Sequence, residues 1–318
     1  MLGVALRDSG LGLRDVCVLA RAADDMGYRS IWFPEVGSRD AIALASLVGQ
    51  QTHKASVGTG VVPVFSRNVV SLCLAAATAA EATEGRFVLG LGAGHQFTTE
   101  AWFDRDWSHA KTRLRETVEV ARRILAGERV THHGQITVDG FHLGCEPPRV
   151  PIYLAALGPA TLRMAGEIAD GVLLNWLPPD GMERAGLLAR EAAADAERSV
   201  KVMGYVRVAV TEGPDQREEA EQALREHTYS YSILPSYAAS MRSAGLGDAV
   251  DRLGSGDDSG LGKLVDSLCC WGDADIVRSD LTRFEESGLD ATILYPVPFG
   301  DDPAQSILRT LRALAPRA

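Results

Sequence analysis

The sequence has little of what would place the chain in a membrane or in an oxidising compartment. It contains no uncharged apolar run of the roughly 20 residues that a membrane-spanning helix needs. Residues 1–7 reach their first charge too early for a secretory signal peptide, so none is expected. The five cysteines are odd in number and show no C-x-x-C spacing. We therefore expect reduced thiols and a cytoplasmic location.

Positive charge is also scarce. The chain has 32 Lys and Arg against 42 Asp and Glu, which gives a net charge of −10. A general nucleic-acid binder needs a basic face that displaces phosphate counterions. We therefore expect a small-molecule partner, and neither nucleic acid nor a membrane.

Several catalytic signatures are missing. No G-x-S-x-G nucleophile elbow and no Walker lysine occur. The glycines of residues 90–94 have the wrong spacing for a dinucleotide fingerprint. The histidines show no metal-ligand spacing, and His132 and His133 would face opposite sides of a strand. No metal site is predicted.

What the sequence does contain is an alternation of short β-like runs with helical patterns from end to end. Such alternation predicts a parallel sheet with crossover helices, and eight units in 318 residues predict a single (β/α)8 TIM-barrel domain, an α/β fold, over residues 1–318. The predicted strands cover residues 2–6, 30–33, 55–60, 86–91, 151–155, 171–174, 202–210 and 291–295.

Two segments exceed a minimal barrel. Residues 130–146 predict an inserted β-hairpin that turns at Asp139-Gly140. Residues 228–268 form a longer helical and loop excursion after the seventh strand. This excursion is either a solvated connection or a lid over the barrel mouth.

In a barrel the active site lies at the carboxyl ends of the strands. The residues at and after the ends of the third to sixth predicted strands include many small ones, and the candidates are Gly60, Val61, Gly92, Ala93, Gly94, Ala155, Ala156, Leu157, Gly158, Pro159, Asn175 and Trp176. The backbone there can approach a flat or anionic ligand closely, and the helix that starts at Gly158-Pro159 suits a phosphate. The alternative is that these residues only form tight turns.

Two ionisable residues at strand ends are candidates for proton transfer, His95 and Glu35. For Glu35 a structural ion pair with Arg7, Arg39 or Arg67 is an open alternative. Aromatic residues that could wall the pocket, or belong to the core, are Trp102, Phe103, Trp107, Tyr229, Tyr231 and Trp271.

Four segments in this order and spacing resemble the luciferase-like flavin and deazaflavin oxidoreductases, and most closely their coenzyme F420 branch. This branch includes methylenetetrahydromethanopterin reductase and the deazaflavin type of glucose-6-phosphate dehydrogenase. The segments are residues 27–32 (GYRSIW), 57–61 (VGTGV), 85–92 (GRFVLGLG) and 150–159 (VPIYLAALGP), and residues 165–171 (AGEIADG) follow in the family's pattern.

The resemblance implies a luciferase-like barrel with the deazaflavin in its mouth and a cis peptide at Gly60-Val61 against the ring. It further implies that Gly92 to Gly94 line the ring, that the Ala155–Pro159 loop holds the cofactor phosphate, and that Asn175 and Trp176 flank it. A homodimer packed through the second and third helices is also implied. The sugar-phosphate branch has an acidic residue in place of His95 and a histidine in place of Glu35, so its proton-transfer scheme does not carry over unchanged. Its basic residues that bind the sugar phosphate have no clear match in this sequence, so a sugar-phosphate substrate is not expected.

The implied function is hydride transfer between F420 and an electrophilic carbon of a small molecule, such as an imine, an activated alkene or a methylene-pterin-like carrier. His95 or Glu35 would exchange the accompanying proton. Two alternatives remain open. One is an FMN-dependent monooxygenase served by a separate reductase, and the other is a non-catalytic barrel that only binds the cofactor.

Overall fold

Eight parallel strands close into a barrel. The computed structural model describes residues 1–7, 10–146 and 148–316. Its strands are β1 (Leu2–Ala5), β2 (Ser30–Phe33), β3 (Ser56–Thr59), β4 (Val62–Pro63), β5 (Phe87–Gly92), β6 (Val130–His133), β7 (Thr137–Phe141), β8 (Ile152–Ala155), β9 (Gly171–Asn175), β10 (Lys201–Val210), β11 (Cys269–Gly272) and β12 (Ala291–Pro296). The ring runs β1-β2-β3-β5-β8-β9-β10-β12 and closes where β12 pairs with β1. The predicted (β/α)8 barrel is confirmed.

Helices surround the ring and connect its strands. They are α1 (Leu13–Asp25), α2 (Ala41–Gly49), α3 (Val69–Ala82), α4 (Gln96–Ala101), α5 (Ala110–Leu125), α6 (Pro159–Ile168), α7 (Pro179–Asp195), α8 (Pro214–Ser232), α9 (Pro235–Met241), α10 (Gly247–Gly254), α11 (Ser259–Leu268), α12 (Ala274–Glu285) and α13 (Pro303–Ala313). Asp40, Asn68, Asp273 and Asp302 each cap a helix by accepting backbone N–H groups. No helix in these described segments is both long enough and apolar enough to span a bilayer.

Side chains alternate between two apolar layers because successive residues of a strand point to opposite faces. On β10, Val202, Val206 and Val208 pack outward against the helices. Met203 and Tyr205 point inward and pack with Trp32, Val88, Tyr153, Leu173, Ile293 and Tyr295 in the barrel interior. Aromatic rings therefore fill the barrel below its mouth.

The inserted segment 130–146 is an antiparallel hairpin of β6 and β7, but its predicted turn is wrong. His133 pairs with Thr137, so the chain turns over residues 134–136. Asp139 and Gly140 lie within β7, opposite a register shift in β6, and Gly140 has φ +64°. A glycine in the left-handed region serves a β-bulge as well as a turn, so the Asp-Gly pair marks the bulge.

The long excursion after β10 is mostly helical. The end of α8, then α9, a π-helical turn over Arg242–Leu246, α10 and α11 occupy residues 228–268. The chain then returns as β11, which pairs with residues 207–210 of β10 where β9 has already ended. The excursion therefore leaves and rejoins the barrel at the mouth end of β10.

Candidate functional site

A bulge between β3 and β4 projects at the mouth of the barrel. Three residues, 59–61, lie opposite only two, 89–90, of β5, and the Gly60–Val61 peptide bond is cis, as the resemblance implies. A Cβ atom on Gly60 would lie 2.0 Å from the hydroxyl oxygen of Tyr205, which rises from β10 across the barrel. Glycine is therefore required at position 60 by close contact.

Small residues continue this surface along β5. A Cβ on Gly92 would lie 2.7 Å from Cγ2 of Val61, and Gly94 has φ +82° and packs close to Pro63. Ala93 between them is half-buried. The segment Gly92–Gly94 and the Gly60–Val61 bulge thus form one continuous backbone surface that a flat ring can approach.

The predicted phosphate loop lies between β8 and α6. Gly158 is the N-cap of α6, and its N–H donates to the hydroxyl of Thr161 at 3.3 Å. A side chain on Gly158 would meet no atom within 4 Å, so the loop faces open space. Pro159 has no N–H to satisfy, and α6 has no acidic residue in its first turn that would repel an anion.

Asn175 ends β9, Trp176 follows it, and both contact the side chain of Arg207. The guanidinium of Arg207 donates from Nη1 to Oδ1 of Asn175, and its central carbon lies 3.8 Å from the ring centroid of Trp176. Trp176 has φ +55°, a conformation that bulky residues rarely adopt. Its indole N–H is buried without a partner.

His95 follows β5 at the mouth, as the N-cap of α4, and is half-buried. Its ring centroid is 5.7 Å from that of Tyr237, and the Tyr237 hydroxyl accepts from Nδ2 of Asn175 at 3.4 Å. Burial lowers the pKa of His95 below its ordinary value of 6.5. The imidazole is therefore mainly neutral at pH 7 and can accept a proton there.

Glu35 is held in an ion pair. Its Oε2 lies 2.5 Å from Nη2 of Arg67 and accepts the backbone N–H of Ala41 at the start of α2 at 3.2 Å. Arg67 also pairs with Asp40 at 2.9 Å. Of the two roles left open for Glu35, this geometry supports the structural one with Arg67.

The residues that sequence reasoning missed come mainly from β10 and α8. Arg207 is 1% exposed, and His227 stacks on Trp176 with ring centroids 5.4 Å apart. Tyr205 and Tyr295 complete the floor of the mouth. A signal was available, since an arginine within the otherwise apolar run of residues 202–210 faces the same side as Met203 and Tyr205.

Of the six aromatic residues considered as pocket walls, one joins this cluster. Tyr231 lies 5.0 Å from both Trp176 and Tyr237, centroid to centroid. Trp102 and Phe103 instead line a separate cavity of about 290 Å³ beside Arg67. A larger cavity of about 450 Å³, near Thr52 and Arg86, lies at the amino ends of the strands, away from the mouth.

Comparison with known proteins connects this site to one family. The family model of luciferase-like monooxygenases matches residues 3–291. A 5,10-methylenetetrahydromethanopterin reductase of Archaeoglobus fulgidus is 27% identical over 313 residues, which cover 93% of each chain. The reductase of Methanolobus tindarius is 32% identical, over 57% of this chain and 55% of that protein. An F420-dependent glucose-6-phosphate dehydrogenase of Amycolatopsis mediterranei is 26% identical over 93% of this chain and 92% of its own.

Solved structures share the fold. The coenzyme F420-dependent tetrahydromethanopterin reductase of Methanopyrus kandleri superposes with a TM-score of 0.80 at 22% identity, over 99% of this chain and 97% of that one. The oxygenating component of 3,6-diketocamphane monooxygenase from Pseudomonas putida, in complex with FMN, superposes with a TM-score of 0.73 at 18% identity, over 99% and 97%.

Proposed function

Because the chain belongs to the luciferase-like monooxygenase family, and its relatives include F420-dependent oxidoreductases, we propose that it is an F420-dependent enzyme. It would transfer a hydride between the deazaflavin and an electrophilic carbon of a small molecule. The observation that carries this proposal is the glycine-lined bulge at Gly60–Val61, which stands at the mouth where a planar ring can lie against it.

The residues present fit such a cofactor. The ring would lie on the Gly60–Val61 bulge and on Gly92–Gly94, where added side chains would collide with Tyr205 or Val61. The loop Ala155–Pro159 would hold the phosphate, since it opens α6 toward unfilled space with the positive end of the helix dipole. Asn175 and Trp176 would flank the phosphate on the side of β9.

When bound, F420 supplies or accepts a hydride at a ring carbon, and it resembles a nicotinamide in reacting poorly with oxygen. The chain's own part is to position the substrate and to exclude water. Trp176, Tyr231 and Tyr237 pack into a wall above the barrel floor, and α8 and α9 carry two of these rings over the mouth. Such shielding favours transfer over competing reactions with solvent.

His95 is the residue that we assign to proton exchange. It lies at the mouth with its ring against Tyr237, and burial lowers its pKa below the ordinary value. During substrate reduction, protonated His95 would donate to the atom left with negative charge. During substrate oxidation, neutral His95 would accept that proton. Glu35 has no such role in this proposal, because Arg67 and the start of α2 hold its carboxylate.

An FMN-dependent monooxygenase is the second candidate, favoured by the likeness in fold to an FMN-bound oxygenating component. Both cofactors would occupy the same mouth and the same loop. They differ in the ring position that allows reduced flavin to react with oxygen, which the deazaflavin lacks.

The test is a titration of the purified protein with F420 and, separately, with FMN. We expect F420 to bind with micromolar or lower Kd and FMN at least tenfold more weakly, as followed by calorimetry. Gly92→Ala should weaken F420 binding at least tenfold, because its new methyl group meets Val61. Gly144→Ala is the matched control, since a Cβ there meets nothing within 4 Å. The reverse preference would favour the monooxygenase, and binding of neither would refute the assignment.

We also propose that the chain forms a homodimer through α2 and α3. Both helices are almost free of charge, and Leu47 and Leu74 are 37% and 49% exposed on their outer faces. Such exposed leucines on neighbouring apolar helices suit a second copy of the same surface.

A further inference from the structure

Strand β10 faces the Gly60–Val61 bulge across the barrel. In the eight-membered ring, β3 and β10 are four places apart, so they lie on opposite sides. Tyr205 spans this distance, since its hydroxyl oxygen is the atom that a Cβ added at Gly60 would meet first. Arg207 is two residues further along β10, on the same face and one layer nearer the mouth. A substrate between the bulge and β10 would therefore meet Arg207.

Arg207 is a buried cation without a buried anion. It is 1% exposed, and no carboxylate in residues 1–7, 10–146 or 148–316 forms an ion pair with it. Its neighbours are neutral: the Asn175 amide and the faces of Trp176 and Tyr295, at 3.8 and 4.6 Å from the guanidinium carbon. Burying a charge is costly unless it is paired and hydrogen-bonded, and aromatic faces offset only part of that cost.

The surrounding polar atoms lack acceptors in particular. Nε of Arg207 and Nε1 of Trp176 are both buried without partners, and both groups can only donate. Nε2 of His227 is also buried without a partner. Burial lowers the pKa of His227 well below its ordinary value, and the positive charges of the nearby Arg207 and Arg7 lower it further. His227 therefore adds no second charge at pH 7. The missing group is therefore an acceptor with negative charge.

The chemistry of this cluster favours one planar monoanion. A guanidinium presents its donors in a flat fork that matches the two oxygens of a carboxylate. The walls around it are aromatic rings, which suit a flat, unsaturated substrate skeleton. A phosphate would call for more donors than Arg207 alone supplies. Another guanidinium near the cluster, that of Arg7, contacts Nδ1 of His227 at 3.5 Å.

We propose that Arg207 binds the carboxylate of the substrate, and that the substrate is a small unsaturated or imino carboxylic acid held between β10 and the Gly60–Val61 bulge. The carboxylate site stands on the contacts of Arg207, whereas the reaction at the neighbouring unsaturated carbon rests on the proposed function. Hydride addition at that carbon and protonation of the adjacent atom would convert the double bond to a single bond, with the deazaflavin oxidised.

Calorimetric titration with crotonate and with crotonamide tests the carboxylate site, because the two differ in charge but hardly in shape. Both are titrated into ligand-free and F420-saturated protein, with inorganic phosphate as a third probe. We expect crotonate to bind at least tenfold more tightly than crotonamide. Arg207→Met should weaken crotonate binding at least tenfold and change F420 affinity less than threefold. Arg217→Met is the matched control, since Arg217 also stacks on a tryptophan, Trp271, and should change neither affinity by more than twofold.

A second variant keeps the test decisive if Arg207→Met does not fold. Asn175→Asp places a carboxylate on the group that already accepts from Arg207. It should raise the apparent Tm and abolish the preference for crotonate over crotonamide.

Four results would overturn the carboxylate assignment. The first is equal affinity for crotonate and crotonamide, and the second is unchanged crotonate binding in both variants. The third is tighter binding of phosphate than of crotonate. The fourth is a loss of F420 affinity in Arg207→Met as large as the loss of crotonate affinity, which would make Arg207 a cofactor contact. If the wild type binds crotonate through Arg207 but does not bind F420, the proposed function fails while the carboxylate site stands.

Discussion

The contact between Gly60 and Tyr205 allows a quantitative test of how the mouth is built. In Gly60→Ala the new methyl carbon would lie 2.0 Å from the Tyr205 hydroxyl oxygen, and the next atoms, Cζ of Tyr205 and Cβ of Trp32, are 3.1 and 3.6 Å away. The collision is thus with one atom. Overpacking of this kind costs about 1–3 kcal/mol, and the lower entropy of the unfolded chain with alanine returns about 0.4–1 kcal/mol. We expect a net loss of about 1–2 kcal/mol in the free energy of unfolding.

Removing the hydroxyl should remove the cost. The Tyr205 hydroxyl is buried and has no hydrogen-bond partner, so Tyr205→Phe leaves no other group unsatisfied. Alone it should change stability by less than about 1 kcal/mol, and in the stabilising direction, because an unsatisfied buried polar group is unfavourable. In the double variant Gly60→Ala with Tyr205→Phe, the alanine should be tolerated, which gives a coupling energy of about 1 kcal/mol or more.

Urea unfolding at 25 °C of the wild type, both single variants and the double variant measures this coupling. Gly144→Ala, in open space, is the control and should lie within about 0.5 kcal/mol of the wild type. The reasoning is refuted if Gly60→Ala is as stable as the wild type, or if the two substitutions are additive. F420 affinity of the double variant adds a second readout, since the methyl group still alters the surface offered to the ring.

Three further predictions concern other parts of the chain. Burial alone would raise the pKa of Asp24, but hydrogen bonds from the N–H groups of residues 53–55 outweigh burial and lower that pKa. The Asp24 carboxylate therefore stabilises the fold above about pH 4, and this contribution is lost as the pH falls. Asp24→Asn should lower the free energy of unfolding, measured in urea, by about 1–3 kcal/mol at pH 7 and by less at pH 3. If His95 exchanges the proton, kcat/KM for substrate reduction should fall as the pH rises through a pKa below 6.5, and kcat/KM for substrate oxidation should rise. Both pH profiles should be flat in His95→Gln. A His95→Gln profile identical to that of the wild type would exclude His95. Leu74→Glu should convert a dimer to a monomer in light scattering, whereas Leu187→Glu, equally exposed on α7, should not.

Most of the barrel could be predicted from the sequence because its units are locally marked. Each predicted strand end falls within two residues of the observed one, and Gly27, Gly85 and Gly127, all with φ near +80° or above, follow the ends of α1, α3 and α5. The elements without such marks were missed. The two-residue β4 depends on pairing with β5, and β11 depends on the edge of β10 that β9 leaves free. Neither pairing can be derived from a local pattern.

The site was predictable where it depends on backbone and less so where it depends on side chains from distant segments. Gly60, Gly92 and Gly158 are identified by size and by their place after a strand. Glu35 also follows a strand, and the sequence offers three arginines as partners for it. Only the tertiary structure selects Arg67 among them. The cluster around Arg207 required knowing that α8 brings His227 back over the barrel, a contact between segments that no short-range pattern specifies.

The position of Arg207 within β10 explains why a strand can carry a charge at the centre of the molecule. Inward positions on β10 run from Met203 through Tyr205 to Arg207, so polarity increases over these three layers toward the mouth, whereas the outward positions 202, 206, 208 and 210 are valine. A cation one layer lower would be enclosed by the apolar interior, where nothing could neutralise it. At the layer it occupies, it is still buried by Trp176 and Tyr295, and it lies one layer nearer the mouth than Tyr205. Strand β10 thus contacts the bulge through Tyr205 and presents the charge of Arg207 to a ligand in the mouth. These two residues occupy adjacent inward positions because side chains on one face of a strand recur every second residue.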